Sequence, residues 1–232
     1  MKKAIVIFSG GLDSSVCLAW AVNKGYKTIA ITFDYNQRHK RENKSAKKIA
    51  KYFKVPLYKI KLDFPWLKSS SLVDKNKSIP DLKFSQIISG KIPSTYVPGR
   101  NLVFSSIAVS FADAIDADAV ISGPNAIDYS GYPDCRPEFY RALEKAVDKG
   151  AKNPAYGKKI KLLTPLIKMS KAEIVKLAFK LKVPLEYTWS CYRGGNKPCG
   201  KCDSCKLRAK GFKDAGFIDP LNSKISVEKF LS

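Results

Sequence analysis

Short apolar runs and helical patterns alternate along most of the chain. Apolar or alternating runs bounded by turn residues predict five strands, at residues 4–8, 28–33, 57–62, 119–122 and 160–163. Apolar residues spaced three and four apart predict helices among them, near residues 14–23, 41–53, 102–115, 137–148 and 171–181. A parallel sheet with helices on both faces requires this order of elements. The fold class we predict is therefore α/β, with a doubly wound parallel sheet.

Two of the predicted helices carry local signals. In the helix at 41–53, Ala46, Ile49 and Ala50 lie on one stripe and the lysines lie outside it, which is typical of a helix with a solvated face. Ser170, followed by Glu173, matches a capping box, which satisfies backbone donors where a helix begins.

Residues 64–98 interrupt the alternation, since they contain seven serines and four prolines and show no sustained period. A loop of that length is either functional or an ordinary insertion. As a mobile lid it would keep water away from a reactive intermediate. Both interpretations stay open.

Composition excludes several classes of protein. The chain has 232 residues, 45% hydrophobic and 27% charged, which is too apolar for disorder and lacks the repeats of collagen or a coiled coil. No apolar run reaches the roughly 18 residues of a membrane span, and residues 4–8 are too few for a signal peptide. We expect a cytoplasmic protein with no membrane partner.

The chain carries 42 basic against 20 acidic residues, and its net charge of +22 raises the question of nucleic-acid binding. Only seven of the basic residues are arginine, whose forked guanidinium is favoured for specific phosphate and base recognition. A lysine-rich solvated surface is the simpler interpretation. We therefore expect no stable nucleic-acid partner.

The first predicted strand runs into residues 9–15, SGGLDSS, and a helix follows directly. Glycines let backbone N–H groups converge, hydroxyls add donors, and the helix N-terminus adds partial positive charge, so this glycine loop (residues 9–15) is suited to phosphate. The alternative is a plain strand-to-helix turn with Asp13 or Ser14 as N-cap. The loop does not have the spacing or the lysine of a Walker A motif.

From residue 186 the chain becomes rich in glycine and cysteine, so we divide it into an α/β domain at 1–185 and a small C-terminal subdomain at 186–232. This subdomain contains Cys191, Cys199, Cys202 and Cys205 in a C-x7-C-x2-C-x2-C pattern. Four thiolates at this spacing can close on one Zn²⁺, and a site without an open position is structural. An iron–sulfur cluster uses similar spacings and stays the alternative, whereas cytoplasmic thiols disfavour disulfides.

Several segments together resemble one enzyme family. The glycine loop resembles the PP-loop of the N-type ATP pyrophosphatases, which activate a substrate oxygen by adenylation and release pyrophosphate. Within that superfamily the chain resembles the 7-cyano-7-deazaguanine synthases, through YNQRH at 35–39, YVPGRN at 96–101, DYSGYPDCRPEF at 128–139 and WSCY at 189–192. These motifs cover nearly the whole chain, and YPDCRPEF is the most specific. Asn36 stands where glycine is expected more often.

The resemblance implies an adenine-nucleotide α-hydrolase-like fold and a reaction of three substrates. In it, 7-carboxy-7-deazaguanine, ATP and ammonia give 7-cyano-7-deazaguanine, a precursor of the tRNA bases queuosine and archaeosine, by way of an acyl-adenylate and an amide. The resemblance also implies ATP and Mg²⁺ as cofactors, structural Zn²⁺ on the four cysteines, and small molecules as partners. A homodimer stays one option for the assembly.

The resemblance further implies which residues carry the adenylation. The expected catalytic residues are Ser9, Asp13, Arg100 and Lys171. Arg100 follows Pro98-Gly99 at a predicted helix start, so it is aimed at the substrate carboxylate or the α-phosphate. For Lys171 the alternative is an exposed lysine in the first helical turn. The expected nucleotide-binding residues are Phe8, Ser9, Gly10, Gly11, Leu12, Asp13, Ser14 and Ser15.

The family block is expected to bind the deazapurine. A carboxylate can accept hydrogen bonds from the N–H groups of a guanine-like edge. The residues expected to frame the ring are Asp128, Tyr132, Asp134 and Arg136. For each charged residue the alternative is a salt bridge within the loop.

Two other functions stay in view. One is a PP-loop tRNA-thiolating enzyme, which would need an RNA-binding appendage for which the chain has little room. The other is a non-enzymatic zinc module that binds nucleic acid, and the glycine loop argues against it. A Cys–His glutaminase is disfavoured because His39 is the only histidine. Cys17 is expected in the core, and Cys135 either in the core or in the pocket.

Overall fold

The structure of the protein is a computed structural model that describes residues 1–38, 41–87, 89–127 and 131–221. In these ranges the strands are β1 (Lys3–Ile7), β2 (Lys27–Asp34), β3 (Leu57–Lys61), β4 (Ala119–Ile121) and β5 (Lys161–Leu163). The α-helices are α1 (Leu12–Asn23), α2 (Arg41–Tyr52), α3 (Phe84–Ile87), α4 (Arg100–Ala114), α5 (Pro137–Gly150), α6 (Lys152–Ala155), α7 (Lys171–Lys180) and α8 (Asp203–Ala215). Short 3₁₀ turns occupy Leu67–Ser69, Pro133–Cys135 and Leu185–Tyr187. None of the helices described is both long and apolar enough to cross a bilayer.

The strands pair in parallel in the order β3-β2-β1-β4-β5. In this register Ala4 of β1 lies between Thr28 of β2 and Ala119 of β4. The chain moves outward from β1 to β3 and then returns to the other side of β1, so the strand order reverses between β1 and β4. Ligands of open α/β sheets bind at the carboxyl ends of the strands beside such a reversal. The predicted doubly wound parallel sheet is confirmed.

Each face of the sheet is covered by its own core, because successive residues of a strand point to opposite faces. Ala4 and Val6 of β1 pack on one face with apolar residues of α1, α2, α7 and α8. Ile5 packs on the other face with apolar residues of α4 and α5 and with the clustered cysteines. Helix α8 supplies Phe212 to the first core and Cys205 to the second. The division of the chain at residue 185 stays a prediction.

The five predicted strands and five predicted helices are confirmed, with ends that differ by at most two residues. The capping box is also present, since Glu173 N donates to Ser170 Oγ at 3.3 Å and Ser170 N donates to Glu173 Oε2 at 2.7 Å. The sequence pattern does not predict α8. Its buried positions include Arg208 and Gly211, and these residue types interrupt an apolar period.

Residues 64–98 are anchored to the second core at several points. Leu72, Ile79 and Val97 are buried there, and Ser71 N donates to the carbonyl of Ser94 at 2.8 Å. These contacts hold the segment near both of its ends and, through Ile79, in its middle. The lid and the insertion both stay predictions.

Candidate active site

A cavity of about 240 Å³ opens at the carboxyl edge of the sheet. It lies where β1, β2 and β4 end, and Phe8, Phe33 and Ser122 line it there. The first turns of α2 and α4 form further parts of its wall. This is the position that the reversal of strand order predicts.

The glycine loop joins β1 to α1 and is braced by its own serines. Ser9 N donates to Ser14 Oγ at 3.2 Å, and the two hydroxyl oxygens lie 3.0 Å apart. The hydroxyls of Ser14 and Ser15 donate to the Gly11 carbonyl at 3.2 and 2.7 Å. Gly11 is the N-cap of α1, and no side chain caps the helix. The N-cap that the alternative places at Asp13 or Ser14 is therefore wrong, and the N–H groups of the first turn stay available to an anion. Binding of phosphate by the loop stays a prediction.

Most of the expected nucleotide-binding residues line the cavity. The exceptions are Gly10 and Ser15, which lie behind the wall. The residues that line it are Phe8, Ser9, Gly11, Leu12, Asp13 and Ser14.

Gly10 lies where the glycine loop touches α2. Its φ is +84°, and a Cβ at this position would lie 2.5 Å from Ala46 N and 2.7 Å from the Glu42 carbonyl oxygen. Only glycine tolerates both the left-handed backbone and this close approach. The contact sets the first turn of α2 directly against the loop.

Asp13 and Lys171 form an ion pair in the wall of the cavity. Lys171 Nζ lies 2.9 and 2.7 Å from the two carboxylate oxygens of Asp13. Lys171 is only 8% exposed, so the alternative of an exposed first-turn lysine is wrong. Gly211 of α8 allows this burial, because a Cβ there would lie 2.2 Å from Lys171 Cγ. Two of the four expected catalytic residues thus meet directly.

Arg100 is the first residue of α4 and lines the same cavity. The preceding Gly99 has a φ of +64°, which turns the chain into the helix. Arg100 Nη1 donates to the Tyr35 hydroxyl at 3.4 Å. Burial lowers the pKa of Arg100, but the nearby hydroxyls of Tyr35, Tyr132 and Tyr192 raise it by more. The guanidinium is therefore a permanent positive charge in the cavity.

Glu42 lies in the first turn of α2 and also lines the cavity. Desolvation raises its pKa from 4.5 to about 7, although the charge of Arg100 opposes the shift. An exposed glutamate is fully ionised at neutral pH. Glu42 instead changes its charge near neutrality.

Two of the residues expected to frame the ring, Tyr132 and Asp134, lie at or behind the cavity wall. Tyr132 lines the cavity, and its hydroxyl lies 2.8 Å from Thr95 Oγ1. Asp134 is buried behind the wall, where Oδ2 accepts from Asn101 N at 3.1 Å. Asp134 Oδ1 has no hydrogen-bond partner among the residues that the structure describes. Burial raises the pKa of Asp134, against opposing hydrogen bonds from Asn101.

The remaining residues of the block have other places. Asp128 lies outside the described residues. Arg136 is exposed and does not line the cavity. Cys135, which is expected either in the core or in the pocket, is both buried and part of the cavity wall. Burial raises the pKa of its thiol to about 12, which keeps the sulfur protonated and weakly reactive.

The C-terminal region closes one side of the cavity. Its residues in the wall are Ser190, Tyr192, Ser204, Leu207 and Arg208. Trp189 N donates to the Gly10 carbonyl at 2.9 Å, which ties this region to the glycine loop. Arg208 is 5% exposed and donates to both carboxylate oxygens of Asp219, at 2.6 and 2.8 Å. The same guanidinium donates to Thr188 Oγ1 at 2.8 Å, so it joins α8 to the segment before the first cysteine.

The four clustered cysteines form a metal-binding group. Their sulfur atoms all lie within 4.8 Å of one another. Three of the thiols are buried, and that of Cys199 is half-buried. Hydrogen bonds from the Cys202 and Cys205 thiols lower the pKa of Cys191, and the same contacts raise the pKa of Cys202 and Cys205, so Cys191 is the first of these three thiols to ionise.

Several residues of the wall have no role in the sequence prediction. They include Tyr35, Glu42, Tyr140, Tyr192 and Arg208. Tyr35 and Tyr192 belong to the YNQRH and WSCY motifs, which is a signal that could have found them. Glu42 has no comparable signal, because α2 has the pattern of a solvated helix.

The backbone conformation explains why Asn36 stands where the family pattern is expected to have glycine. Its φ is +62°, in the left-handed region that glycine enters freely. Asparagine tolerates this region better than most other residues. The expectation of glycine at this position therefore reflects the backbone and not the chemistry of the site.

A likeness to solved structures supports the fold. The NMN synthetase of Francisella tularensis superposes on this chain with a TM-score of 0.50 and is 16% identical to it. The superposed region covers 94% of this chain and 78% of the synthetase chain. At this level of identity the likeness shows the fold alone.

The sequence itself matches known proteins closely. Residues 3–216 match the family described as "QueC: Queuosine biosynthesis protein QueC". The 7-cyano-7-deazaguanine synthase of Acetivibrio thermocellus is 50% identical over 221 residues, which cover 95% of this chain and 97% of that protein. The protein of the same name from Thermoplasma volcanium is 51% identical over 220 residues, covering 95% and 90%. The motifs that surround the cavity therefore belong to a full-length match, and the chain is a member of the QueC family of 7-cyano-7-deazaguanine synthases.

Proposed function

We propose that this protein is an ATP-dependent ligase that converts 7-carboxy-7-deazaguanine and ammonia to the nitrile 7-cyano-7-deazaguanine. ATP activates the carboxylate as an acyl-adenylate, ammonia gives the amide, and a second adenylation allows the amide to lose its oxygen. Each turnover of the whole sequence releases AMP and pyrophosphate twice. The work of the protein is to position the reactants and to neutralise phosphate charge.

One observation carries the proposal: a single cavity at the carboxyl edge of the sheet contains the glycine loop, Arg100 and Tyr132. A phosphate-binding loop, a fixed cation and an aromatic ring are the three surfaces that an acyl-adenylate of a deazapurine requires. The tRNA-thiolating alternative would also need such a cavity, and it is disfavoured by the 50% identity to a 7-cyano-7-deazaguanine synthase. A zinc module that binds nucleic acid needs no enclosed cavity behind a glycine loop.

The nucleotide is assigned to the glycine loop and the Asp13–Lys171 pair. The N–H groups of α1 donate to the pyrophosphate, the hydroxyls of Ser9 and Ser14 brace the loop that holds it, and Lys171 supplies positive charge beside it. Both carboxylate oxygens of Asp13 accept from Lys171, so Asp13 would be an indirect partner of Mg²⁺. The ion would supply charge that screens the phosphates.

The deazapurine is assigned to the family block. Arg100 binds the carboxylate or the α-phosphate with its forked guanidinium. Tyr132 supports the ring, and Asp134 Oδ1, which is buried without a partner among the described residues, accepts from the N–H groups of the guanine-like edge. Burial of an unpaired carboxylate oxygen is costly, and a ligand donor removes that cost. Asp128 and Arg136 keep their predicted part in framing the ring.

The four cysteines are assigned to one structural Zn²⁺. A Zn–S bond of about 2.3 Å puts the sulfurs of a tetrahedral site about 3.8 Å apart. The sulfurs of Cys199 and Cys205 lie 4.0 Å apart, and all four lie within 4.8 Å of one another, which suits a single ion. In a [4Fe–4S] cluster each thiolate binds a different iron, so the sulfurs stand farther apart. The reducing cytoplasm, where we expect the protein to work, keeps such thiols available to metal.

The direct test is to incubate the purified protein with 7-carboxy-7-deazaguanine, ATP, Mg²⁺ and ammonium and to look for the nitrile by mass spectrometry. AMP and pyrophosphate are the expected co-products. Formation of ADP, or the absence of any nitrile, would contradict the proposal. A thiolated tRNA formed in place of the nitrile would support the tRNA-thiolating alternative.

Variants of the glycine loop test the residue assignments. Ser9→Ala and Asp13→Asn are expected to abolish pyrophosphate release and to leave the fold intact. Asparagine is preferred to alanine at residue 13 because it keeps a partner for the buried Lys171. Ser106→Ala is the matched control, since Ser106 is exposed on α4 and only donates to the Leu102 carbonyl. Normal turnover in Ser9→Ala or Asp13→Asn would remove the loop from the mechanism.

A further inference from the structure

The wall of the cavity contains two carboxylates among its described residues, those of Asp13 and Glu42, and no described histidine. Asp13 is held by Lys171 at 2.7 and 2.9 Å through both of its oxygens. An ion-paired carboxylate of this kind is a poor proton acceptor, because protonation would leave Lys171 buried without its counter-charge. Glu42 is therefore the carboxylate of the wall that can take up a proton.

The position of Glu42 is fixed by close packing. The first turn of α2 rests on the glycine loop, and the Glu42 carbonyl oxygen would lie 2.7 Å from a Cβ at residue 10. Arg100 acts on the Glu42 carboxyl through its charge from α4. Among the described residues, the Glu42 side chain forms no hydrogen bond or ion pair that would occupy its oxygens. Glu42 thus lines the same cavity as the phosphate-binding loop and as Arg100, the cation assigned to the substrate carboxylate.

The environment of Glu42 suits a base that works near neutral pH. Desolvation raises its pKa to about 7, and Arg100 lowers it. The other charged groups of the wall are the Asp13–Lys171 pair, contributed by α1 and α7, and Arg208 of α8. A general base is most effective when its pKa lies near the operating pH.

We propose that the Glu42 carboxylate is the proton acceptor for both nitrogen steps of this reaction, an inference that rests on the proposed function. In the first step the ammonia nitrogen bonds to the acyl carbon, the bond from that carbon to the AMP oxygen breaks, and one N–H proton passes to Glu42. In the second, the adenylated amide loses its C–O bond to AMP. Its nitrogen gives up two protons as the C≡N bond forms, one to Glu42, which has by then released its first proton to solvent, and the other to water. Neither adenylation itself removes a proton from nitrogen.

The amide-to-nitrile half-reaction tests this role, because it consumes no ammonia and the ionisation of ammonium does not enter. With wild-type protein, ATP and the amide, kcat is expected to rise with pH to a plateau, with a midpoint near 7. Glu42→Gln should lower kcat by about 100-fold or more and remove this pH dependence. Glu42→Asp should recover part of the rate. Glu186→Gln, at an exposed glutamate in the 3₁₀ turn at Leu185–Tyr187, should behave as wild type.

Adenylation supplies the second readout. With 7-carboxy-7-deazaguanine and no ammonia, Glu42→Gln should exchange labelled pyrophosphate into ATP at close to the wild-type rate, which also shows that the variant folds. Loss of this exchange in parallel with nitrile formation would overturn the proposal, as would an unchanged nitrile rate. A pH dependence that persists in Glu42→Gln and disappears in His39→Gln would overturn it as well. Wild-type protein that forms no nitrile would overturn the proposed function, and the inference with it.

Discussion

Replacing Gly10 by alanine separates backbone strain from steric overlap. At φ +84°, alanine enters the left-handed region at a cost of about 1–2 kcal/mol. Its Cβ would also lie 2.5 and 2.7 Å from backbone atoms of α2, which cannot rotate away as a side chain can. Overpacking of this kind costs about 1–3 kcal/mol. Gly10→Ala should therefore lower the free energy of unfolding by about 2–5 kcal/mol.

Gly25 provides the matched control for Gly10. Its φ is +76°, but a Cβ there meets no atom within 4 Å. Gly25→Ala should therefore lose only the stability that backbone strain costs, about 1–2 kcal/mol. Urea unfolding of wild type and both variants measures the free energies of unfolding, and an unchanged m-value shows that the differences are differences in stability. We also expect Gly10→Ala, and not Gly25→Ala, to lower ATP-dependent pyrophosphate release. Equal losses of stability in the two variants would refute the account of a close approach between the loop and α2.

Three further predictions concern stability and metal content. Arg208→Met should lower the free energy of unfolding by about 3–5 kcal/mol, because it leaves Asp219 buried and unpaired. The control Lys210→Met removes a half-exposed pair and should cost less than about 1 kcal/mol in the same urea titration. The purified protein should be colourless and contain one zinc per chain by elemental analysis, whereas a brown protein would indicate iron and sulfur. Cys202→Ser should lose the metal and become less soluble. The folded state binds the Glu42 proton more tightly than the unfolded state does, because the pKa of Glu42 is raised to about 7 on folding. As pH rises from 4.5 to about 7, the free energy of unfolding of wild type should therefore fall by about 2–3 kcal/mol relative to that of Glu42→Gln. A constant difference between these two proteins over that range would contradict the desolvation of the Glu42 carboxyl.

The sheet and its helices could be predicted because their signals are local. Strands such as β1 are short apolar runs, and the buried residues of α2 repeat at helical spacing. The glycine loop and the cysteine spacing are equally visible, since both chemistries need their residues close together in the chain. Arg100 could be placed at a helix start because Pro98 and Gly99 precede it.

The parts that sequence reasoning did not reach depend on contacts between distant segments. Lys171 is buried only because Gly211, forty residues later, leaves room for its side chain. Glu42 enters the cavity because Gly10 lets α2 approach, while the pattern of α2 alone predicts a solvated helix. Helix α8 buries Arg208 against Asp219, and a charged residue in a core position conceals the helical period. Each case needs the partner segment to be known first.

The hydrogen bond from Trp189 to Gly10 has a consequence for the order in which the protein is made. A nascent chain that has left the ribosome only as far as residue 185 already contains every strand of the sheet and the whole glycine loop. It still lacks Trp189, which ties the loop down, and Arg208, which completes the wall. The wall of the nucleotide site is therefore complete only when residues 186–208 have been made.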